Sequence, residues 1–250
     1  MFRIVIPARF ASTRLPGKPL LTLSGKPLIQ WVCEKARLAA AAEVIVATDD
    51  ARIAAAARRC GVDVAMTAMT HASGSDRIAE VARAREWDAN AIVINLQGDE
   101  PLMPAALITQ VAELLVQHPY ADVATLATPV TSLPALLDTN VVKVVTDCQQ
   151  RALYFSRAPI PWQRDQALAG LHSQSSFAGA RRHIGLYGYR VGSLLRLAAY
   201  APTALEQAEK LEQLRALEHG MDIRVADASV VPGPDVNTSE DLQRVATLLA

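Results

Sequence analysis

Phe2-Arg3-Ile4-Val5-Ile6, followed at once by Pro7-Ala8-Arg9-Phe10-Ala11-Ser12-Thr13-Arg14-Leu15-Pro16-Gly17-Lys18, is the stretch from which the rest of the chain can be read. The first five residues are a short β-branched run of the kind that forms a strand buried on both faces. The next dozen are punctuated by Pro and Gly and carry two guanidiniums, one ammonium and two hydroxyls. A loop running over residues 7–25 is too long to be a mere connector. It leaves the carboxyl end of a strand, where ligands bind in open α/β sheets. It lacks the spacing of a P-loop and of the dinucleotide glycine fingerprint. Its groups suit a triphosphate that must release pyrophosphate.

The same alternation continues. EVIVATD (43–49) predicts a second buried strand, and the Ala-rich stretch from Asp50 to Cys60 a helix stopped by Gly61. VDVAM (62–66) predicts a third strand. Ser73-Gly74-Ser75-Asp76 has capping-box spacing and opens a helix to about Trp87. AIVINL (91–96) predicts a fourth strand that ends at Gln97-Gly98-Asp99-Glu100-Pro101, and Pro104 starts another helix. The expected fold class is α/β, with a mostly parallel sheet covered by helices on both faces. The second half is richer in strands: VATLATPV, VVKVVTD, ALYFSRAPIPW and HIGLYGYR, then IRVADASVV. Residues 203–219 predict one amphipathic helix, with Leu205, Leu211, Leu214 and Leu217 inward and Glu206/Lys210 as an exposed pair. A last helix is expected from about Thr238.

Composition narrows the function. The chain has 250 residues, 51% of them hydrophobic, enough for one domain over 1–250 with a large core. Its 25 basic and 25 acidic residues cancel, which argues against nucleic acid as a partner. Yet residues 1–33 hold Arg3, Arg9, Arg14, Lys18 and Lys26 and no acid, a local positive field suited to an anionic small ligand. Cys33, Cys60 and Cys148 are widely spaced and read as reduced thiols of a cytoplasmic protein. No signal peptide, membrane span or membrane partner is expected.

Several residues stand out. Asp99 lies just past a buried apolar strand, where an acid either caps a turn or serves as a hard oxygen ligand for Mg²⁺. Gln97 is placed to hydrogen-bond a nucleotide or sugar, and Glu100 to support its neighbour. Arg77 falls in the first turn of a helix whose N-terminus adds backbone donors. Arg157 can hold a carboxylate bidentately, and Glu212 with Gln213 can accept from and donate to hydroxyls. Tyr187 and Tyr189 share a strand face. A lone His such as His183 is more often a satisfied core residue than a ligand.

RFASTRLPGKPL at 9–20 resembles the N-terminal signature of the 3-deoxy-manno-octulosonate (Kdo) cytidylyltransferases. The family pattern continues in order through ATDD (47–50), HASGSDRIAE (71–80), NLQGDEP (95–101), ALYFSRAPIPW (152–162), HIGLYGY (183–189), LEQLRALEHG (211–220) and VNTSEDL (236–242). The resemblance covers essentially the whole chain. TRLPGK is shared with other sugar nucleotidyltransferases, whereas YFSRAPIPW together with HIGLYGY is far more specific.

The resemblance implies a Rossmann-like nucleotide-diphospho-sugar transferase fold, with residues 120–195 as a smaller, strand-rich sugar-binding and dimerisation region. It implies CTP and Kdo as substrates, a homodimer, and one or two Mg²⁺ ions. The anomeric 2-hydroxyl of Kdo would attack the α-phosphorus of CTP, giving CMP-Kdo for lipopolysaccharide biosynthesis. Arg14, Lys18 and Asp99 would be catalytic. The nucleotide would be held by Ala8, Arg9, Ser12, Arg14 and Lys18 from one side and by Gly74, Arg77 and Gln97 from the other. The sugar would meet Arg157, His183, Tyr187, Glu212 and Gln213.

One departure touches the metal. The family carries Asp-Thr-Pro where this chain has Asn237-Thr238-Ser239. Metal ligands would then be Asp99 with Asn237, or with Asp235 compensating for it; alternatively Asn237 or Thr238 simply caps the last helix. The rival readings are a cytidylyltransferase for 8-amino-Kdo or sialic acid, an NAD-dependent oxidoreductase without its glycine fingerprint, and a non-catalytic nucleotide-binding module.

Overall fold

β1 (Phe2–Ala8) lies inside the sheet with a parallel neighbour on each side, Val5 beside Ile45 on one edge and Asn95 on the other. The structure, a computed structural model, describes residues 1–11, 15–166 and 170–249. After β1 come the hairpin β2 (Thr22–Leu23) and β3 (Lys26–Pro27), then β4 (Glu43–Thr48), β5 (Asp63–Met66) and β6 (Ile92–Asn95). The second half adds β7 (Val123–Pro129), β8 (Lys143–Thr146), β9 (Ala152–Ser156), β10 (Arg181–Arg190) and β11 (Ile223–Asp227). The helices are α1 (Leu28–Arg37), α2 (Ala51–Arg58), α3 (Gly74–Ala84), α4 (Ala105–Gln117), α5 (Leu133–Leu137), α6 (Val191–Ala199), α7 (Ala204–Glu209), α8 (Gln213–Glu218) and α9 (Ser239–Leu248).

The main sheet runs β11-β7-β10-β6-β1-β4-β5, with β8 and β9 branching from β10. All neighbours on that path pair in parallel except β10, which is antiparallel to both β6 and β7. Alternation along the strands divides the core. Ile4, Ile6, Val46, Ile92 and Ile94 face α1, α2 and α4, while Val5, Ile45, Ala47 and Val93 face α3 and α6. Helices thus cover both faces, as β-branched runs without polar alternation require. β4 and β5 build outward on one side of β1, and β6 returns to the other, so the topological switch lies between β1 and β6.

Side-chain caps open α2, α3 and α9, two of them at positions the sequence marked. Asp50 accepts from the amides of Arg52 and Ile53. Ser73 and Asp76 form a reciprocal capping box, as do Thr238 and Asp241. Thr238, not Asn237, is therefore the cap of α9. The long loop is not featureless: Gly17, at φ 68°, turns the chain into a short 3-10 helix at Lys18–Leu20.

Several expectations change. The helix expected over 203–219 is two helices, α7 and α8, separated at Lys210, which adopts the left-handed conformation at φ 56°. The break turns Leu211 and Leu214 into the core but leaves Leu205 41% exposed. Glu206 does not pair with Lys210; it takes a two-pronged ion pair from Arg215, which is largely buried. The helix from Ser73 ends at Ala84, short of Trp87. ALYFSRAPIPW is strand only through Ser156, and helix α6 was not foreseen.

β10 is admitted between β6 and β7 at a cost in side-chain volume. A Cβ built on Gly188 would sit 2.7 Å from Val111 Cγ1 and 3.1 Å from Ile94 Cδ1 and Leu115 Cδ1. Val111 is β-branched within α4 and cannot turn away cheaply. Gly188→Ala is therefore expected to destabilise the fold by about 1–3 kcal/mol, read as a fall in the denaturation midpoint at unchanged m-value.

Candidate active site

Three cavities meet beyond the carboxyl ends of β1 and β6. The first, about 250 Å³, is lined by Pro7, Ala8, Arg9, Lys18 and Pro19 from the loop after β1, by His71 to Gly74 and Arg77 around the start of α3, and by Gln97 to Asp99. The second, about 260 Å³, lies on the side of β10 and is lined among others by Glu100, Asn140, Arg182, His183, Tyr187, Gln213 and Asp235. A third, about 60 Å³, shares Gly74 and Gln97 with the first and Tyr187 and Gln213 with the second.

Lys18 fastens the junction. Its Nζ donates to Asp99 Oδ2 at 2.7 Å and to the carbonyl of Val236 at 2.9 Å. Val236 in turn donates its amide to the carbonyl of Asp99 at 3.0 Å. The loop after β1, the loop after β6 and the segment before α9 are thereby tied together. An ammonium has three N–H donors, so one remains for an oxygen in the first cavity.

The wall at α3 is equally well held. Arg77 is 3% exposed, and its guanidinium donates to Asp49 Oδ2 at 2.9 Å and to Thr67 Oγ1. Arg77 is thus no surface arginine but a buried, paired cation bordering the first cavity. Ser73 Oγ donates to Glu212 Oε1 at 3.2 Å, linking the α3 cap to the segment before α8. Burial pushes the Glu212 carboxyl up, against the pull of Ser75, Arg215 and Ser73. Gln97 Nε2 donates to Asn95 Oδ1 at 3.1 Å, which sets its amide between the first and third cavities. His71, which lines the first cavity, pairs through Nε2 with Glu80, a contact no motif reading singled out.

On the β10 side, burial and then the charges of Asp99 and Asp235 push the Glu100 carboxyl up to about 8, while Arg182 and Lys18 pull the other way. The charges of Asp99 and Asp235 both reach Glu100, and Lys18 is bonded to Asp99, so the acidic groups here form a field suited to a hard cation. The oxygen-only donor set fits Mg²⁺, which takes one or two carboxylates and completes its shell with phosphate oxygens and water. Among the described residues no group of three or more His, Cys, Asp or Glu side chains is placed to hold a metal. Asn237 lies outside the three cavities and donates from Nδ2 to Asp235 Oδ2.

The residues chosen from sequence therefore divide. Ala8, Arg9, Lys18, Gly74, Arg77, Gln97 and Asp99 come together around the first cavity, and His183, Tyr187, Gln213 and Asp235 around the second. Glu212 lines the small third cavity between them. Ser12 and Arg14 lie outside the described residues. Arg157 lines none of the three: its Nε donates to the carbonyl of Glu209 and its Nη1 to that of Thr139, each at 2.7 Å. A guanidinium occupied by two main-chain oxygens braces this region and does not reach into the second cavity. Sequence reasoning missed Arg182, the guanidinium that does line it, although it sits immediately before His183.

The sequence profile of the family described as cytidylyltransferase matches residues 3–223. The chain is 55% identical over 248 residues to 3-deoxy-manno-octulosonate cytidylyltransferase of Thioalkalivibrio sulfidiphilus, covering 99% of this chain and 98% of that protein. It is 52% identical over 248 residues to the protein of the same name from Pseudomonas syringae pv. tomato, with the same coverage. Among solved structures, CMP:2-keto-3-deoxy-manno-octonic acid synthetase complexed with CTP superposes with a TM-score of 0.89 at 40% identity, covering 100% of this chain and 98% of that one.

His183 makes the second cavity testable through pH. Burial first, and then the Arg182 charge, hold its imidazole well below the usual value of 6.5, at about 3. Between those values the unfolded chain binds more protons than the folded one, so stability falls as pH falls from about 6.5 toward 3. This residue is expected to contribute a slope of up to about 1.4 kcal/mol per pH unit. Denaturant unfolding at a series of pH values should show that component in the wild type and lack it in His183→Gln.

Proposed function

The chain belongs to the family of 3-deoxy-manno-octulosonate cytidylyltransferases, and from that premise we propose how its residues divide the work. It transfers CMP from CTP to Kdo, forming CMP-Kdo and releasing pyrophosphate. The observation that carries the division of roles is the pair of cavities joined by a third, which shares Gly74 and Gln97 with the first and Tyr187 and Gln213 with the second.

The first cavity takes CTP. Arg9 and the free N–H of Lys18 face the phosphates, and the amide end of α3 behind Gly74 adds donors. Arg77, clamped by Asp49 and Thr67, keeps that helix end in place. The second cavity takes the acidic sugar, and the third lets its anomeric hydroxyl approach the α-phosphorus. The hydroxyl oxygen forms the new bond to phosphorus as the bond to pyrophosphate breaks, with attacking and leaving oxygens in line. No side chain at the junction is set up as a dedicated general base, so positioning and charge stabilisation carry the rate.

Asp99 and Asp235 are the carboxylates that would hold Mg²⁺, with Asn237 orienting Asp235 through its amide. The ion would screen the phosphate charge that Lys18 alone cannot balance. Arg182 takes the role of carboxylate anchor that the sequence reading gave to Arg157, because it lines the sugar cavity with its charge available.

Pyrophosphate release from CTP with Kdo, 8-amino-Kdo or sialic acid as acceptor tests the substrate, with Kdo expected to be preferred. In that assay Arg182→Ala should raise KM for Kdo by about tenfold or more, the loss of a charge-assisted hydrogen bond, and leave KM for CTP nearly unchanged. Arg157→Ala should not separate the two substrates. An equal rise in both for Arg182→Ala would assign it to the nucleotide or to the fold.

The metal reading is checked by titrating Mg²⁺ into enzyme and CTP. Asp235→Asn should raise the concentration needed for half-saturation, and Asn237→Asp should lower it. If neither moves it, the segment before α9 does not ligate the ion.

A further inference from the structure

The His183 imidazole hydrogen-bonds Thr125 on β7, a residue no motif singled out. Between Ile184 and Tyr187 the pairing of β10 with β7 slips: Ile184 faces Leu126 and Tyr187 faces Thr125, so Gly185 and Leu186 have no partner across the ladder. A bulge of this kind leaves backbone groups out of the ladder, and buried carbonyls must find a donor elsewhere. Thr125 supplies it. The residue is 0% exposed, and its Oγ1 lies 2.8 Å from the carbonyl of Leu186 and 3.0 Å from that of Ile184. The same oxygen lies 3.0 Å from His183 Nε2.

A hydroxyl has one proton and two lone pairs. Both carbonyls can only accept, so the proton is directed at them and a lone pair faces the imidazole. His183 Nε2 must then carry the hydrogen and donate to Thr125 Oγ1. The reverse arrangement, with the hydroxyl donating to Nε2, would set two carbonyl oxygens against its lone pairs at hydrogen-bonding distance. In a neutral imidazole a proton on Nε2 leaves Nδ1 as an acceptor. Nδ1 has no hydrogen-bond partner among the described residues, and His183 lines the second cavity. Phe155 meets the ring edge-on at 5.0 Å and Tyr187 at a tilt, 5.2 Å away, so its plane is held on two sides.

We propose that Thr125 is a positioning residue for sugar recognition, locking His183 as the Nε2–H tautomer so that Nδ1 accepts a hydrogen bond from a sugar hydroxyl. The recognition half of this proposal rests on reading the second cavity as the sugar site. It also fixes which group of the ligand lies there. A carboxylate cannot donate, so an acceptor at Nδ1 turns the sugar's hydroxyl side to His183 and leaves its carboxylate to Arg182.

The test uses full-length protein labelled with ¹⁵N at its five histidines, with the His183 signals assigned by their loss in His183→Gln. Long-range ¹H–¹⁵N correlation near neutral pH should show wild-type His183 with its proton on Nε2. Thr125→Val should shift it to the Nδ1–H form or a mixture, and Thr125→Ser should restore the wild-type pattern. In steady-state kinetics Thr125→Val should raise KM for Kdo about tenfold, the loss of one well-made hydrogen bond, with KM for CTP within twofold and rescue by Thr125→Ser. A wild-type spectrum with the proton on Nδ1 overturns the tautomer assignment, whether or not Thr125→Val folds. A Thr125→Val protein whose tautomer changes while KM for Kdo does not overturns the assignment of the sugar to this cavity.

Discussion

The parallel pairing of β1 with β6, which sets Val5 beside Asn95, is the constraint on which the site depends. Two strands buried on both faces must stay in register, because a one-residue slip would turn Ile4 and Ile6 out of one core and Val5 out of the other. With that register held, the loops leaving the two strands emerge side by side. Lys18 and Asp99, 81 positions apart in sequence, then come within 2.7 Å. The second bond of Lys18, to the carbonyl of Val236, draws in the end of the chain as well. A single ammonium on a buried scaffold thus gathers three segments that share no local structure.

The electrostatics of the junction follow from that gathering. Glu100 is buried within reach of the charges of Asp99 and Asp235, and burial first, then those two charges, push its carboxyl up against the pull of Arg182 and Lys18. Such crowding is unfavourable for a resting protein and useful for one that binds a cation together with phosphates. Around it the charges are balanced locally: Arg77 with Asp49, and Arg215 with Glu206, are buried or largely buried pairs with little freedom to move.

The rigid partners also explain why the site is divided between two halves of the chain. The loops after β1 and β6 and the start of α3 line the first cavity, proposed for the nucleotide, all of them following parallel strands. The second cavity, proposed for the sugar, draws on β10, which enters antiparallel between β6 and β7 and carries Arg182, His183 and Tyr187 on one element. Its bulge turns part of the strand's backbone inward, and Thr125 absorbs the result. Precise placement of an imidazole therefore originates in an irregularity of the sheet.

Much of this was legible beforehand, for reasons that are local. Continuous β-branched runs announce strands buried on both faces, and Ser73 with Asp76 announces a helix start, because period and capping act within a few residues. The alternation of these elements determined an α/β sheet, and the loops bearing Lys18 and Asp99 could be named as its working edge. What the sequence did not disclose depends on contacts between distant residues. Nothing near Arg157 says that Glu209 and Thr139 occupy its guanidinium, and nothing near Arg182 says that it faces a cavity. The left-handed turn at Lys210 reflects the packing of Leu211 and the Glu206–Arg215 pair, which helical periodicity alone does not encode. Thr125 reads as one more β-branched strand residue until β10 lies against it. Propensity and pattern belong to the neighbours along the chain; the partner of a buried polar group is settled only when the sheet has closed.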